Sequence, residues 1–330
     1  MGLEPSITVG AVRRPGWAVT YPAQMSLDGV RLGIVLLPEL RWTEQRERFE
    51  QAEAWGFDSA WTYDHLGWRS LVDGPWFGPL TTLAAAAAVT SRIRLGTFVA
   101  SPNVRHPVPF AREVLALDDV SEGRLSLGIG AGGEGYDAAV MGAAGLTARQ
   151  RVDRYGEFVE LLDLLLTQER TTWSGSWYTA VEARSAPGCV QQPRVPFVLA
   201  ANGPRSMRLV ASRGQGWVTT GPATAGDEQE WWAGVAELSD HLDDALSEAG
   251  KSRDSVERYL SLDSGPAFGL GSVEHLRDCA GRAVDLGFDE VVVHWPRPDG
   301  VYASRLEVLA EAAELLGRSD GPRQWHATGF

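Results

Sequence analysis

The sequence is poor in cysteine and in lysine. Cys189 and Cys279 are its only cysteines, and they lie far apart without the CxxC spacing of zinc sites and redox pairs. This spacing excludes a disulfide framework and predicts no metal site. So few cysteines are typical of a reduced, cytoplasmic protein. Lys251 is the only lysine, so arginine carries nearly all of the positive charge.

Long apolar runs are also missing. No stretch approaches the roughly 20 apolar residues that span a bilayer, so we predict neither a membrane-spanning helix nor a membrane partner. The first 29 residues contain Arg13 and Arg14 but no apolar core followed by a small-residue cleavage site, unlike a secretory signal. We expect residues 1–29 to form a disordered N-terminal extension, within which Met25 is a candidate for the natural start.

Acidic residues are in excess. Asp and Glu number 43 against 30 Lys and Arg, which gives a net charge of −13. A chain with this balance repels the phosphates of nucleic acids, so no nucleic-acid partner is predicted, although a few arginines can still hold a small anion. The 44% hydrophobic content is ordinary for a globular protein. The length suits one large α/β barrel or two ordinary domains.

Short apolar runs alternate with amphipathic helical runs along most of the chain. In Ser91–Glu134, the runs IRLGTFV and RLSLGIG flank a helical run at Val108–Val120, a crossover that forces parallel pairing. Eight such runs alternating with eight helices predict a single (β/α)8 TIM barrel over residues 30–316, followed by a polar tail at 317–330. A long irregular insertion at 169–196, between the fourth helix and the fifth strand, contains the hairpin-like sequence TTWSGSWYTAV.

The second predicted strand ends in polar and aromatic residues. Ligands of parallel barrels bind at the carboxyl ends of the strands. Asp64 and His65 follow this strand directly, and a histidine there can stack on a cofactor or relay a proton, or it can simply bond a neighbouring loop. Trp68 and Trp76 come next, and they are candidates for the wall of a substrate pocket or for core packing.

The third and fourth predicted strands end in small residues. Phe98 and Val99 close the third strand, and Asn103 beyond them can hydrogen-bond a ligand. The sequence GIGAGGE after the fourth strand is similar to a dinucleotide fingerprint, but no helix begins at once. We interpret its glycines, such as Gly132, as room for a flat ring against the backbone. Glu134 is a candidate acid or base, or a solvated carboxylate.

The fifth predicted strand leads into a candidate phosphate site. The free N–H groups and dipole of the helix that follows favour an anion, although a plain helix cap is the alternative. The residues concerned are Asn202, Gly203, Pro204 and Arg205. Three arginines also open the long fourth helix, where they need carboxylate partners or an anionic cofactor tail. These are Arg149, Arg151 and Arg154.

Taken together, these motifs resemble the bacterial luciferase-like family of flavin- and deazaflavin-dependent oxidoreductases. The resemblance covers roughly residues 30 to 316. It is carried by GFDSAWTYDH (56–65), TSRIRLGTFV (90–99), the glycine-ended segment 105–132 and VPFVLAANGPRSMRLVASRGQGW (195–217). Members of that family are (β/α)8 barrels and usually homodimers, so the resemblance implies both for this chain.

Within the family, the Asp–His pair is similar to the branch that uses coenzyme F420, a deazaflavin. The resemblance implies that Asp64 and His65 face the deazaflavin ring and that a non-proline cis peptide at Phe98–Val99 backs it. It also implies a phosphate-binding turn, formed by Ala201, Asn202, Gly203 and Pro204. The sugar-phosphate dehydrogenases of the family have a similar Glu and Trp. Here Glu134 comes one residue late and Trp68 one residue early, so a sugar-phosphate substrate is not predicted.

The sequence therefore favours an F420-dependent oxidoreductase that transfers hydride between the deazaflavin and a small organic substrate. His65 and Glu134 are the predicted catalytic residues. One alternative is an FMN-dependent, two-component monooxygenase on the same barrel, and another is a barrel subunit without catalytic activity. A homodimer is expected, together with a reductase partner that supplies reduced flavin or reduced F420.

Overall fold

Eight parallel strands form a closed barrel in the computed structural model, which describes residue 27, residues 29–142 and residues 144–318. The barrel order is β1-β2-β3-β4-β7-β8-β9-β10. The predicted (β/α)8 barrel is therefore confirmed. In chain order, the strands are β1 (Arg31–Val35), β2 (Ser59–Thr62), β3 (Arg94–Ala100), β4 (Leu125–Ile129), β5 (Arg170–Ser174), β6 (Thr179–Arg184), β7 (Phe197–Ala200), β8 (Gly216–Thr219), β9 (Glu257–Ser261) and β10 (Glu290–His294).

Helices surround the barrel and connect its strands. Three of them have proline at their first position, where the missing N–H would have no intrahelical acceptor. In chain order, the helices are α1 (Trp42–Trp55), α2 (Pro79–Ala87), α3 (Pro107–Val120), α4 (Tyr136–Val140), α5 (Ala148–Thr167), α6 (Pro204–Arg213), α7 (Glu228–Glu248), α8 (Val273–Asp285) and α9 (Leu306–Arg318). The short helix α4 lies between β4 and α5.

Backbone hydrogen bonds set the starts of two helices. At α1, the carbonyl of Arg41 accepts the N–H groups of Glu44 (3.0 Å) and Gln45 (2.9 Å), and Trp42 opens the helix. Before α9, a turn held by the bond from Ser304 N to Arg297 O (3.2 Å) precedes the helix start at Leu306. A residue pattern does not report such backbone bonds.

Large side chains fill the inside of the barrel. The lumen holds a cluster of buried residues that includes Trp61, Phe98, Val198, Tyr259 and Val292. A second, larger cluster packs the strands against the surrounding helices. The barrel is thus a packed core with no pore, so a ligand has to bind at the mouth formed by the strand ends and their loops.

The insertion after α5 begins with a regular hairpin. Strands β5 and β6 pair antiparallel, as the sequence TTWSGSWYTAV predicted, and the chain then runs without regular structure to β7. The hairpin turn is held by Glu157 of α5. Its carboxylate accepts N–H groups from Ser176 (2.9 Å), Trp177 (3.0 Å) and Tyr178 (2.8 Å). The hairpin is therefore fastened along the outside of the barrel.

The predicted terminal segments lie mostly outside the described residues. This applies to residues 1–26 and 28 of the expected extension and to 319–330 of the expected tail. Leu27 is buried, and its N–H donates to Val30 O at 2.9 Å. Among the helices that are described, none combines the length and the apolar character that crossing a membrane requires.

Candidate functional site

His65 at the end of β2 is bound to the loop after β4. Its Nδ1 lies 2.5 Å from Asp137 Oδ2, and Asp137 Oδ1 accepts the N–H of Leu66 at 2.8 Å. The Asp137 carboxylate is buried while the His65 ring keeps about a third of its surface exposed. Because a carboxylate only accepts, Nδ1 carries the proton and Nε2 is left as the basic nitrogen. Asp137 was not predicted from the sequence.

Asp64 is bound to the loop after β3. Arg105 grips its buried carboxylate with two parallel bonds, Nε to Oδ2 at 2.9 Å and Nη2 to Oδ1 at 2.7 Å. Burial alone would lower the pKa of Arg105, but its hydrogen bonds to Asp64 outweigh this and raise the pKa. The predicted cofactor ligand Asp64 thus has its carboxylate engaged in an ion pair that fixes the base of the mouth.

The ends of β3 and β4 lie unusually close together. A Cβ at Gly128 would fall 2.0 Å from Thr97 O, and one at Gly130 would fall 2.7 Å from the Val99 side chain. Gly132 adopts a φ of +74°, which favours glycine. The Phe98–Val99 peptide is cis, as the resemblance implied. Gly128, Gly130 and Gly132 thus allow the close packing of these two strand ends, which we call the glycine wall.

Asn103 joins the same two strand ends. Its Nδ2 donates to Gly133 O at 2.9 Å, and its Oδ1 accepts from Arg154 on α5. Glu134 is largely exposed and pairs with Arg151, also on α5. Together with Leu146, these side chains line a cavity of about 200 Å³. The arginines that open α5 therefore face the loop after β4, and the predicted acid or base Glu134 has a cationic partner.

Both predicted pocket tryptophans lie over the mouth. Trp68 stacks on Tyr302 at 5.6 Å and meets Tyr63 edge to face. Trp76 donates its indole N–H to His65 O at 2.8 Å. The loop after β2 thus folds back on the strand end that carries His65. It gives the mouth an aromatic rim.

A buried polar chain beside His65 was missed from the sequence. Asp263, after β9, accepts at 2.9 Å from Nδ1 of His294, at the end of β10. Nε2 of His294 lies 2.6 Å from the hydroxyl of Tyr63, which is 3.1 Å from that of Tyr302. Burial raises the pKa of Tyr63 well above its ordinary value. Asp263, His294 and Tyr63 end or follow three different strands, so only closure of the barrel brings them together.

The predicted phosphate turn after β7 is ordered by neighbouring strand ends. Asn202 accepts from Thr219 Oγ1 at 2.8 Å and donates to Gly221 O at 2.7 Å. The first-turn N–H groups of α6 point outwards from this turn, as at any helix start. Arg205 pairs with Asp153 on α5. The turn is rigid, and Arg205 lies between it and the start of α5.

Several curated proteins similar to this chain are named F420-dependent glucose-6-phosphate dehydrogenase. An F420-dependent glucose-6-phosphate dehydrogenase of Microbacterium testaceum is 32% identical over 219 residues, which are 64% of this chain and 60% of that protein. Its counterpart in Intrasporangium calvum is 33% identical over 232 residues, 68% of this chain and 66% of that protein. The chain thus spans about 60 to 66% of the length of these relatives.

A solved structure shares the fold of this chain, and a family model matches its sequence. An F420-dependent secondary alcohol dehydrogenase, solved with an F420–acetone adduct, superposes with a TM-score of 0.71 at 16% identity, covering 87% of this chain and 99% of that one. At that identity the likeness shows the fold alone. The family model for luciferase-like monooxygenases matches residues 25–264. With most of its length matched in this way, the chain belongs to the luciferase-like monooxygenase family.

Proposed function

We propose that this chain is an oxidoreductase that uses coenzyme F420 to move a hydride to or from a small organic substrate. The observation that carries the proposal is the His65–Asp137 pair. His65 follows β2, the strand next to β3, so the pair lies at the mouth beside the glycine wall. The names of the similar curated proteins support F420 as the cofactor. When bound, the deazaflavin supplies two-electron hydride transfer and does not readily activate oxygen.

The glycine wall keeps the ends of β3 and β4 close together. Side chains at Gly130 and Gly132 would collide with Val99 and Asn103, both at 2.7 Å, so larger residues there would push these strand ends apart. Trp68 and Tyr302 supply apolar faces on the other side of β2. A planar, partly apolar ring is the kind of group that such a site accepts.

An anionic tail can be held on the same side of the mouth. The start of α6 offers N–H groups and a favourable dipole. Nε of Arg154 is buried and has no hydrogen-bond partner among the residues that the structure describes. Arg154 also lines the cavity beside Asn103 and Glu134. We assign the cofactor phosphate to the turn at 201–205, and a further anionic group to Arg154.

We assign to His65 the transfer of the proton to or from the substrate oxygen. Oxidation of an alcohol releases a proton from oxygen as the hydride leaves carbon, and the reverse reaction needs the same proton back. Asp137 holds Nδ1 protonated and sets the ring, which leaves Nε2 to take or give that proton. Glu134 remains the second candidate. Its exposed carboxylate pairs with Arg151 and is better placed to shape the cavity.

The buried chain of Asp263, His294 and Tyr63 positions His65. Tyr63 meets the His65 ring edge to face at 5.6 Å and the His294 ring at 5.5 Å. Its hydroxyl is fixed by His294, which is fixed in turn by Asp263. The two aromatic contacts keep His65 from turning into the lumen. Tyr63→Phe should therefore lower kcat by a few-fold at most, while Tyr63→Ala lowers it further.

Binding of the two cofactors tests the proposal. Purified protein is mixed with F420 and, separately, with FMN, and binding is followed by fluorescence quenching. We expect saturable quenching with F420 and little with FMN. Tight FMN binding without F420 binding would establish the two-component monooxygenase instead.

Turnover with reduced or oxidised F420 then tests the role of His65. A panel of small alcohols, aldehydes and ketones serves as substrates. His65→Ala should lower turnover by about 10²- to 10⁴-fold, while cofactor binding stays within a few-fold. His241→Ala, on the exposed face of α7, is the matched control. Equal turnover in wild type and His65→Ala would remove His65 from the mechanism.

Assembly is proposed on the same basis. We propose a homodimer and a partner that regenerates the reduced cofactor, both of which the family resemblance implies. Sedimentation velocity at several protein concentrations checks the first. The second is checked by whether turnover continues when the cofactor is limiting and cell extract is added.

A further inference from the structure

Helices α7 and α8 bring three metal-ligating side chains together at the rim of the barrel. These are Glu228, the first residue of α7, and His275 and Cys279 on α8. Their donor atoms all lie within 4.8 Å of one another. His275 and Cys279 are four residues apart, which places them on the same face of the helix, one turn above the other. None of the three contacts His65 or the glycine wall among the described bonds.

The spacing of the two helical ligands matches a shared ion. Cys279 Sγ and His275 Nε2 are 3.6 Å apart. A tetrahedral zinc ion, with Zn–S of about 2.3 Å and Zn–N of about 2.0 Å, holds its sulfur and nitrogen ligands about 3.5 Å apart. A thiol–imidazole hydrogen bond gives a similar separation. Two further observations favour a metal ion over a simple hydrogen bond: Glu228 can act as a third ligand, and a small cavity lies beside the pair.

Glu228 can become the third ligand. Among the residues that the structure describes, its Oε1 accepts from Trp232 Nε1 and from Arg282 Nη1, each at 3.3 Å. The side chain is more than a third exposed, so a rotation that brings Oε2 to the ion costs little. Oε1 can then keep these contacts.

The three ligands border a cavity of about 10 Å³. That volume accommodates about one water molecule or one ion. Apolar and backbone groups form the rest of its lining, including Trp231, Leu262 and Gly265. A site with three protein ligands leaves the fourth tetrahedral position for water. The cavity is therefore large enough for one ion beside Glu228, His275 and Cys279.

We propose that Glu228, His275 and Cys279 bind one thiophilic divalent cation, with zinc as the best fit. A thiolate, an imidazole and a carboxylate form a ligand set that zinc accepts. On binding, the thiol gives its proton to solvent and the sulfur coordinates as thiolate.

The electrostatic surroundings favour a cation. Carboxylates of Glu228, Asp263 and Asp278 act on Cys279 against one guanidinium, that of Arg282. A divalent ion offsets this excess of carboxylates.

The ion would brace the loop that orients the buried polar chain. Leu262, Gly265 and Gly269 line the cavity, and Asp263 between them accepts the N–H groups of Gly269 (2.8 Å) and His294 (2.5 Å). Metal binding ties α7 to α8 beside this loop, so it should raise the melting temperature of the whole barrel.

Cobalt provides the test, because cobalt(II) occupies zinc sites and reports thiolate ligation by a charge-transfer band. Full-length protein, produced without a metal-affinity tag and treated with chelator, is titrated with Co²⁺ and then with Zn²⁺. We expect one Co²⁺ per chain, the near-ultraviolet band of a thiolate complex, its loss on adding Zn²⁺, and a rise in melting temperature with either metal.

Variants separate the site from other thiols. Cys279→Ser should abolish the band, while Cys189→Ser, which removes the other buried cysteine, should keep it. Glu228→Gln leaves the two α8 ligands, His275 and Cys279, in place and should weaken Co²⁺ binding by about tenfold or more. If Cys279→Ser does not fold, the Co²⁺ affinity of Glu228→Gln tests the site instead. A missing band in wild type, or a band unchanged in both Cys279→Ser and Glu228→Gln, would overturn the proposal.

Discussion

The Asp137 carboxylate binds both the side chain of His65, at 2.5 Å, and the backbone N–H of Leu66, at 2.8 Å. One buried carboxylate therefore fixes the position of the histidine and also the tautomer of its ring. It belongs to a five-residue helix after β4, so it couples two strand ends that are not adjacent in the barrel.

Asp137→Asn should impair catalysis more than binding. The amide can donate to Nδ1, which favours the wrong tautomer of His65 and puts the proton on Nε2. We expect kcat to fall by about 10²-fold or more, while F420 affinity changes by less than a few-fold. Steady-state kinetics and fluorescence titration measure the two effects. Glu50→Gln, in an exposed pair with Arg46, is the control. A proportional loss of affinity and kcat would mean that Asp137 only supports the fold.

Asp64→Asn should destabilise the protein strongly. It leaves Arg105 without the buried half of its bidentate pair, a change that costs about 3 kcal/mol or more. Arg105 also contacts Glu113 at 3.1 Å, but that carboxylate is half exposed, so Glu113→Gln should cost less than about 1 kcal/mol. Urea unfolding of both variants gives the comparison. If Asp64→Asn unfolded like wild type but lost cofactor, Asp64 would be a ligand of the cofactor and not an anchor of the mouth.

Gly128→Ala should be among the more damaging substitutions of a glycine. The added Cβ would lie 2.0 Å from a backbone oxygen, that of Thr97, which cannot move without shifting β3. We expect the substitution to lower the free energy of unfolding by about 3 kcal/mol. Gly133→Ala, whose Cβ would have its nearest neighbour at 3.9 Å, should be close to neutral. Thermal unfolding of the two variants tests this, and similar melting temperatures would refute the close approach of β3 and β4.

Asp58 should make stability fall as pH rises towards neutrality. Burial, with Glu290 nearby, raises its pKa from 3.8 to about 7. The folded state therefore keeps a proton that the unfolded state has lost, so stability falls from about pH 4 to about pH 7. Each pH unit in this range lowers the free energy of unfolding by at most about 1.4 kcal/mol. The actual decrease is smaller because the side chain is partly exposed. Unfolding between pH 5 and 7.5 should show a smaller decline in Asp58→Asn than in wild type. An equal decline would contradict the assignment.

The barrel itself could be predicted because its strands are buried on both faces. Runs such as Arg31–Val35 and Glu290–His294 are nearly continuous in apolar residues, and each is followed by a helical period. The cis peptide at Phe98–Val99 followed from the family resemblance alone. His65 and Asn103 could be placed at the mouth because each of them follows a predicted strand.

The partners of these residues could not be predicted. Asp137 lies in the five-residue helix α4, which is too short to show an apolar period. Asp263 and His294 face each other only because β9 and β10 are neighbours in the closed barrel. Glu134 was expected to face the substrate, yet its partner Arg151 comes from the outer helix α5. In each case, the deciding contact joins distant parts of the chain, so a local residue pattern carries no trace of it.

The hairpin of β5 and β6 is fastened by a match between Glu157 and Gly175. A Cβ at Gly175 would fall 1.9 Å from the Glu157 carboxylate, which itself collects the N–H groups of the turn. The carboxylate belongs to the barrel and the glycine to the insertion. Transplanting this insertion onto a related barrel would therefore succeed only where the recipient helix carries the glutamate, which makes the pair a compatibility requirement for chimeras.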